Sequence, residues 1–435
     1  MYVAFDDTDS LTGMCTTFLL TEMVEALRDF DLIGLPRLVR LNPAVPWKTR
    51  GNGALCLRVG RGAGNMKLIG RSEDDPIYCH ARQAKEVDAD EVLGRAYAVL
   101  KRWSRIDEDA SPGLVVTKRS PRPWVYWSAV RGVVEKEKVE KELEVIGALR
   151  KELAGGRGVI GATAALSWRP RDRTYEILVY RAMENWGKKR LVNEQDVAAL
   201  DSRFPGTFNN YDFAANKMVI APHSPCPVLF GIRGESTDEL VEAMASLGSE
   251  TKARWLLFLS NQGTDDHIIR RWKELRPMSS YEVQGQVVAG PRSIQGGHVL
   301  FSLQWSRRAP PLECAVYEPA KGFRGAVRRL QVGDRIRVMG ELRDDPRSLN
   351  IEKLEVIALA PLVKKLSNPI CSVCGKSMQS LGREAGYRCR RCGAKAKPSE
   401  AVRVQIAREL QVGWYEPPVS ARRHLSKPIK RMAPC

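Results

Sequence analysis

The chain predicts a multidomain protein of mixed α/β and α+β character, with a β-barrel and a metal-held knuckle toward its C-terminal end. Three observations predict it. At 435 residues it exceeds what one hydrophobic core organises, so two to four domains are expected. Strand-length and helix-length apolar patterns alternate over the first 275 residues and give way to strand-like runs from 281 to 358. Finally, Cys371-x2-Cys374-x14-Cys389-x2-Cys392 puts two C-x2-C knuckles in one short stretch.

Taken in order, Tyr2-Val3-Ala4-Phe5 is a short apolar strand that runs into Asp6-Asp7-Thr8-Asp9-Ser10 and, after Gly13, into Cys15-Thr16-Thr17. Residues 18–27 then read as an amphipathic helix, so the acidic turn joins a strand to a helix N-terminus. Residues 54–59 form a second buried strand behind Lys48-Thr49-Arg50-Gly51-Asn52-Gly53, and a helix follows over 91–103. From 113 to 212 the order is strand 113–117, helix 134–153, strands 159–168 and 175–182, helix 193–204 and a short strand within 207–213. That is β-α-β-β-α-β, the ferredoxin-like arrangement. A strand over 228–234, a helix over 237–247 and an apolar strand ending in Asn261-Gln262-Gly263-Thr264-Asp265-Asp266-His267 return to the style of the first hundred residues, so the ferredoxin-like unit reads as an insertion. Five strand-like runs follow, 281–289, 298–305, 312–319, 334–342 and 349–359, with a short segment at 323–330 between the third and fourth. They match an OB-fold, whose common ligand is single-stranded or looped nucleic acid.

With 69 Lys+Arg against 51 Asp+Glu the formal charge is +18, which favours a polyanionic partner without choosing between RNA, DNA and an anionic membrane. No N-terminal stretch has the basic-then-apolar order of a signal peptide, since carboxylates arrive at residue 6. Apolar runs such as 255–259 fall far short of the roughly 20 residues a spanning helix needs. A soluble, cytoplasmic protein is expected. The cysteines outside the knuckles (Cys15, Cys56, Cys79, Cys226, Cys314, Cys435) are scattered, as suits a reducing compartment.

The most specific local pattern is the pair of knuckles. Each can aim two thiolates at one ion, and four complete the tetrahedral shell Zn²⁺ prefers, leaving no open position; such a zinc is structural. It would present Arg388, Arg390, Arg391, Lys395 and Lys397. Asp6, Asp7 and Asp9 crowd three carboxylates into four residues, whose mutual repulsion a bound cation would relieve; hard oxygens suit Mg²⁺. A capping turn is the plainer alternative. Thr16 at a helix start is, taken alone, a cap, although free N–H groups there also favour phosphate. Lys48 to Gly53 and Gly231-Ile232-Arg233-Gly234 could cradle phosphates or be ordinary turns, and Asn261 to Asp265 ends a strand where α/β sheets place ligands. Residues 421–431 are basic and follow Trp414 and Tyr415, a mixture suited to phosphates and stacked bases, or a solvated tail.

Together, FDDTDS…GMCTT, KTRGNGA, PCPVLFGIRG, SNQGTDDH, the barrel region, the four-cysteine ribbon and ARRHLSKP resemble, in the same order over essentially the whole chain, the archaeal 2-agmatinylcytidine synthetases of the minor, AUA-reading isoleucine tRNA. The resemblance implies four modules: an atypical kinase-like catalytic domain (1–110 and 213–275), an inserted ferredoxin-like domain (111–212), an OB-fold (276–360) and a zinc ribbon with basic tail (366–435). It implies ATP-dependent ligation of agmatine to C2 of the wobble cytidine, position 34, of a CAU anticodon, through a phosphorylated C2 oxygen. ATP, Mg²⁺ and structural Zn²⁺ are the implied cofactors, and agmatine and that tRNA the partners, with no membrane. The matching residues are Thr16 as phosphate acceptor, Asp6, Asp7 and Asp9 as metal-binding carboxylates, and Lys48, Arg50, Gly51, Asn52, Arg233 and Asp265 around the nucleotide. Asn209, Asn210 and Asp212 are candidates for agmatine, and Arg422 and Arg423 for the tRNA.

Two other classes compete. A haloacid-dehalogenase-like phosphatase would use Asp7-Thr8-Asp9 after its strand, but Leu11 stands where that family wants Thr or Val. A non-enzymatic RNA-binding adaptor would use only the barrel and ribbon, and leaves the N-terminal carboxylates unexplained.

Overall fold

The computed structural model describes residues 1–49, 51–73, 75–382 and 384–432. Strand β1 (Tyr2–Asp6) runs antiparallel between β4 (Gly53–Ser72) and β6 (Gly113–Thr117). With a neighbour on both edges and layers on both faces, its Val3, Ala4 and Phe5 are fully buried, which explains a continuous apolar run in place of alternation. Val3 and Phe5 face one core with helices α1 (Thr16–Ala26) and α2 (Ala89–Trp103). Ala4 faces another, together with α3 (Trp124–Arg131), α4 (Lys136–Val145) and α5 (Gly158–Ser167). The sheet continues from β7 (Leu149–Glu152) through β6, β1, β4 and β3 (Arg37–Arg40) into the second half of the chain, with β2 (Asp31–Ile33) and β5 (Asp75–Lys85) pairing beside β4.

Two stretches differ from the sequence reading. Residues 159–168, expected as a strand, form α5, nine of whose ten residues are buried. A helix enclosed on all sides shows no amphipathic period, so periodicity cannot tell it from a buried strand. The helix expected over 134–153 stops at Val145, where Gly147 takes φ +66°, and 149–152 pair antiparallel with β6 instead. The β-α-β-β-α-β order expected over 111–212 therefore does not occur there. It occurs further on, as β8 (Thr174–Arg181), α6 (Glu194–Arg203), β9 (Thr207–Phe208), β12 (Val228–Gly234), α7 (Thr237–Ser246) and β13 (Lys252–Ser260). These four strands lie in the order fourth, first, third, second, every pair antiparallel, and β13 joins β3 to make one continuous sheet. A hairpin of β10 (Tyr211–Asp212) and β11 (Lys217–Met218) fills the link between β9 and β12.

After β14 (Ile268–Ile269), the strands β15 (Ser279–Ser293), β16 (Val299–Gln304), β17 (Leu312–Val316), β18 (Arg335–Arg343) and β19 (Ser348–Ala358) close a barrel. Its order is first, second, third, fifth, fourth and back to first, with α8 (Gly322–Arg328) between the third and fourth strands. The ribbon follows: β20 (Leu362–Ser367) pairs with β24 (Val402–Ile406), and β21 (Gln379–Ser380), β22 (Tyr387–Arg388) and β23 (Lys395–Ala396) form a small meander. Finally β25 (Gly413–Tyr415) adds to β19, and residues 416–432 run back across the large sheet as a strap. Among the described residues no helix is long and apolar enough to cross a membrane.

Candidate active site

The side-chain alternation of β1 decides where the first carboxylate goes. Asp6 follows Ala4 on the α5 face, where a side chain on Gly161 would stand 1.8 Å from Asp6 Oδ2; the glycine leaves the carboxyl its seat. Gly113 of the adjacent strand likewise lets the N-terminus of α5 approach the sheet backbone, an added Cβ falling 2.0 Å from Val159 N. Asp7 takes φ +60°, and its backbone N–H donates to Asp6 Oδ1 at 2.8 Å. Its own carboxylate accepts from Arg157 Nη2 at 2.8 Å and Nε at 3.1 Å, at the start of α5. Burial, then the neighbouring Asp7 charge, pushes the Asp6 carboxyl up to about 8; burial raises Asp7 too, against the pull of Arg157.

These groups open on a cavity of about 510 Å³ lined by Asp6, Asp7, Asp9, Thr16 and Arg157 and, from other elements, by Arg40, Lys48, Gly51, Asn52, Arg233 and His424. Thr16 is the first residue of α1, with Cys15 at the cap position offering no side-chain capping bond. The cationic wall has its own order. Glu176 accepts from Arg233 Nε at 3.1 Å and from Gln262 Nε2, and lies 3.9 Å from Arg40 Nη2. Arg40 donates to Gly51 O at a long 3.4 Å, while its buried Nε has no partner among the described residues. Lys48 Nζ donates to Pro43 O. Asn52, at φ +43°, donates to Asn42 O at 2.8 Å, which pins the turn. Arg50 lies outside the described residues.

The remaining expected site residues are not brought to this cavity. Asp265 forms a buried pair with Lys353 Nζ of the barrel at 2.7 Å and accepts from the Lys427 backbone N–H at 2.7 Å. Asn209 accepts from Arg422 Nη1 at 2.9 Å, Asp212 accepts from the Ser420 hydroxyl and backbone, and Asn210 donates to Thr207 within its own turn and to Asp201 on α6. Arg422 also pairs with Glu416 at 2.7 Å, and Arg423 with Glu341 and Glu352. The strap's arginines thus fasten the chain to itself. Arg40 and Arg157 line the cavity without having been singled out in the sequence, and His424, which also lines it, was read only as part of the basic tail. For Arg157 the signal was present as Gly155-Gly156-Arg157-Gly158 before an apolar run, a glycine turn leading into a helix.

In the ribbon the four sulfurs of Cys371, Cys374, Cys389 and Cys392 lie within 4.8 Å of one another, the one group of three or more potential ligands among the described residues to converge so closely. Backbone N–H groups of Arg391 and Cys392 point at Cys389 and hold its thiol down, to about 6. Four convergent thiols suit a tetrahedral zinc. The three aspartates supply oxygen donors suited to Mg²⁺, but one is already paired with Arg157.

Three family models match the chain: the TiaS TCKD domain over 2–155, the TiaS FLD domain over 156–267 and the TiaS C-terminal zinc ribbon domain over 368–410. The chain is 36% identical to TiaS of Methanocaldococcus jannaschii, the 2-agmatinylcytidine synthetase of the minor isoleucine tRNA, over 99% of this chain and 98% of that one. It belongs to the TiaS family. The TiaS of Archaeoglobus fulgidus is 38% identical, over 99% of this chain and 97% of its own. Among solved structures, a complex of TiaS with the minor isoleucine tRNA and ATP is matched at TM-score 0.85 and 35% identity, covering 99% and 97% of the two chains. A complex of TiaS with that tRNA, AMPCPP and agmatine is matched at 0.82 and 33%, with the same coverage. The TiaS models put their first boundary at 155/156, at the start of α5, where the sequence reading divides the chain at 110/111 and again at 212/213.

Proposed function

We infer that this chain is an ATP-dependent ligase that joins agmatine to the wobble cytidine of the minor isoleucine tRNA. The observation that carries this reading is end-to-end similarity to TiaS enzymes, combined with a cavity that gathers Asp6, Asp7, Asp9 and Thr16 in front of a cationic wall. Neither a phosphatase nor an RNA adaptor accounts for both.

Within that reading, the strand order from 174 to 260 supports placing the ferredoxin-like unit there, with the kinase-like part in the remainder of the sheet, and the closed five-strand barrel supports an OB-fold. Thr16 is the phosphate acceptor. The carbonyl oxygen at C2 of cytosine leaves poorly; once phosphorylated it departs as phosphate when the agmatine amine forms its bond to C2 and sheds a proton. Arg40, Lys48 and Arg233 line the cavity as cations against which phosphates bind. Mg²⁺ held by the aspartates would offset charge on the transferred phosphoryl group. To hold such a cation Asp6 would have to give up its proton and Asp7 its bond to Arg157. The ribbon's Arg388, Arg390, Arg391, Lys395 and Lys397 are exposed, which suits contact with the tRNA. The setting is cytoplasmic, where thiols stay reduced for zinc.

The test is incubation with ATP, Mg²⁺, labelled agmatine and tRNA transcripts bearing CAU or other anticodons. Label is expected on the CAU transcript alone; label on none of them overturns the reading.

A further inference from the structure

Residues 261–267 follow β13 and do not line the catalytic cavity, yet the side chains of Asn261, Gln262, Asp265 and His267 are buried. Burying that many polar groups in so short a stretch is costly unless each is bonded, so the partners show what the segment holds. They lie in two directions.

Toward the cavity, Asn261 grips the backbone of Arg40, accepting from its N–H at 2.7 Å and donating to its carbonyl at 2.8 Å. The parallel pairing of β13 with β3 ends at Ser260 and Leu38, so the Asn261 amide takes over from the backbone at the residue that carries the guanidinium. Gln262 Nε2 donates to Glu176, the carboxylate that also accepts from Arg233 Nε at 3.1 Å. Both arginines of the cationic wall are therefore set from this segment, one through its backbone and the other through its counter-charge.

Away from the cavity, two buried pairs reach β19 of the barrel. Asp265 meets Lys353 Nζ at 2.7 Å, and His267 Nε2 donates to Glu352 at 2.7 Å. The strap is held as well: the Gly263 and Asp265 N–H groups donate to the carbonyls of His424 and Leu425 at 2.8 and 2.9 Å, and Asp265 Oδ1 accepts from the Lys427 N–H at 2.7 Å. A buried ion pair adds little stability beyond an apolar contact, but it penalises every other seating, because each charge would be left alone away from water. Gly263 at φ +64° and Asp265 at φ +61° turn the chain sharply between its two ends, and the Thr264 hydroxyl ties the turn back to the Asn261 carbonyl at 2.7 Å. Gln262 Oε1 and His267 Nδ1, both buried, have no hydrogen-bond partner among the described residues, so the network holds bonding capacity that this arrangement does not use.

We propose that residues 261–267 are positioning residues of the ligation, which set Arg40 and Arg233 against the phosphates according to how the barrel and the strap are seated. A tRNA that bears on the barrel then tightens nucleotide binding in the cavity, and the nucleotide tightens the tRNA by the same factor, as linkage requires. The proposal rests on the ligase reading and adds the means by which its RNA side and its nucleotide side act together.

The test measures, on the full-length protein by calorimetry, the affinity for AMPCPP with and without a saturating CAU-anticodon tRNA transcript. In the wild type the transcript is expected to tighten AMPCPP about tenfold. H267L cuts the bond to Glu352 while leaving that carboxylate beside Arg423, at 3.5 Å. Each ligand alone should bind it within about twofold of the wild type, with the mutual tightening lost, a combination that a general loosening of the fold would not produce. H267Q, whose amide can still donate to Glu352, should restore the tightening. E352Q removes the charge at the other end of the bond at almost no change in volume, and is expected to lose the tightening as H267L does. Tightening that is absent from the wild type, or that survives in both H267L and E352Q, overturns the assignment. Agmatine transfer by the wild-type enzyme to the same transcript, run alongside, separates the failures: transfer without the expected tightening overturns the positioning role alone, while no transfer overturns the ligase reading beneath it.

Discussion

Two clusters of potential metal ligands stand out in this chain, four cysteines and three aspartates, and the structure treats them differently. The sulfurs of Cys371, Cys374, Cys389 and Cys392 converge within 4.8 Å even though their knuckles are separated by 14 residues. Asp6, Asp7 and Asp9 fall within four residues and do not form such a group. The difference lies in what holds each ligand. A C-x2-C knuckle ends in a glycine at positive φ, Gly375 at +65° and Gly393 at +78°, and the turn itself sets the direction of both thiols. The aspartates are aimed by strand alternation, which sends Asp6 to α5, and by a distant cation, Arg157, which takes Asp7. One cluster is preorganised by its local backbone; the other is an acid site whose charge is balanced from within until a ligand competes.

The largest effect that comparison predicts is on the ribbon. Structural zinc contributes about 10–16 kcal/mol to the folding of isolated finger peptides at neutral pH. The ribbon's own core is small, built around Met378, Tyr387 and Ala401 with two of the cysteines. Chelation or C389S is therefore expected to unfold residues 368–410, read as lost hydrogen-exchange protection there and one zinc released per chain, with ATP binding by the large sheet retained. Protection that survives chelation would show that the knuckles need no metal.

Next in size are the residues of the acid site. T16A is expected to lower agmatine transfer at least about 100-fold while leaving tRNA affinity within about twofold, since a hydroxyl that accepts phosphate acts in the chemical step and not in binding. Acid-stable phosphothreonine should vanish from the variant with it. Normal turnover would remove Thr16 from the mechanism.

A smaller effect tests the internal balance itself. R157M removes the competitor for Asp7. The pair is partly exposed, with 41% of the Arg157 side chain open, so it is worth at most about 1 kcal/mol of stability. Affinity for Mn²⁺, followed by its electron-spin resonance, is expected to rise several-fold as Asp7 is released; unchanged or weaker binding would mean that Arg157 orders the site for the cation and does not compete with it.

How much of this was legible in the sequence follows the same division between local and distant causes. The knuckles, β1, α1 and the five barrel strands are written in local spacing and were read correctly from it. The segment 159–168 was not, because a helix buried all round shows no period, and with it the position of the β-α-β-β-α-β order moved by about sixty residues. The basic tail divides the same way. Composition gives the charge of Arg422 and Arg423 but not the carboxylates that meet them, and Glu416, Glu341 and Glu352 come from other elements. The ribbon's cations have the same composition and are exposed. Arg40 carried no signal and His424 only that of a basic tail, since each acquires its meaning only where β3, the strap and the barrel meet.

The acid site is read most directly through pH. The Asp6 carboxyl sits at about 8, against an ordinary value near 3.8, because burial and the Asp7 charge disfavour its ionised form. A carboxyl raised on folding binds its proton more tightly in the folded state than in the unfolded one. Stability is then unpenalised below about pH 4, falls as pH rises toward 8, and levels off above it. Metal binding runs the other way: a cation must displace that proton, so Mn²⁺ affinity should climb with pH and flatten above about 8. In D6N both slopes should shrink together, and the variant should melt at a higher temperature than the parent at pH 8, when both lack metal. If D6N leaves both profiles unchanged, the proton that metal displaces does not sit on the carboxyl that β1 sends against Gly161.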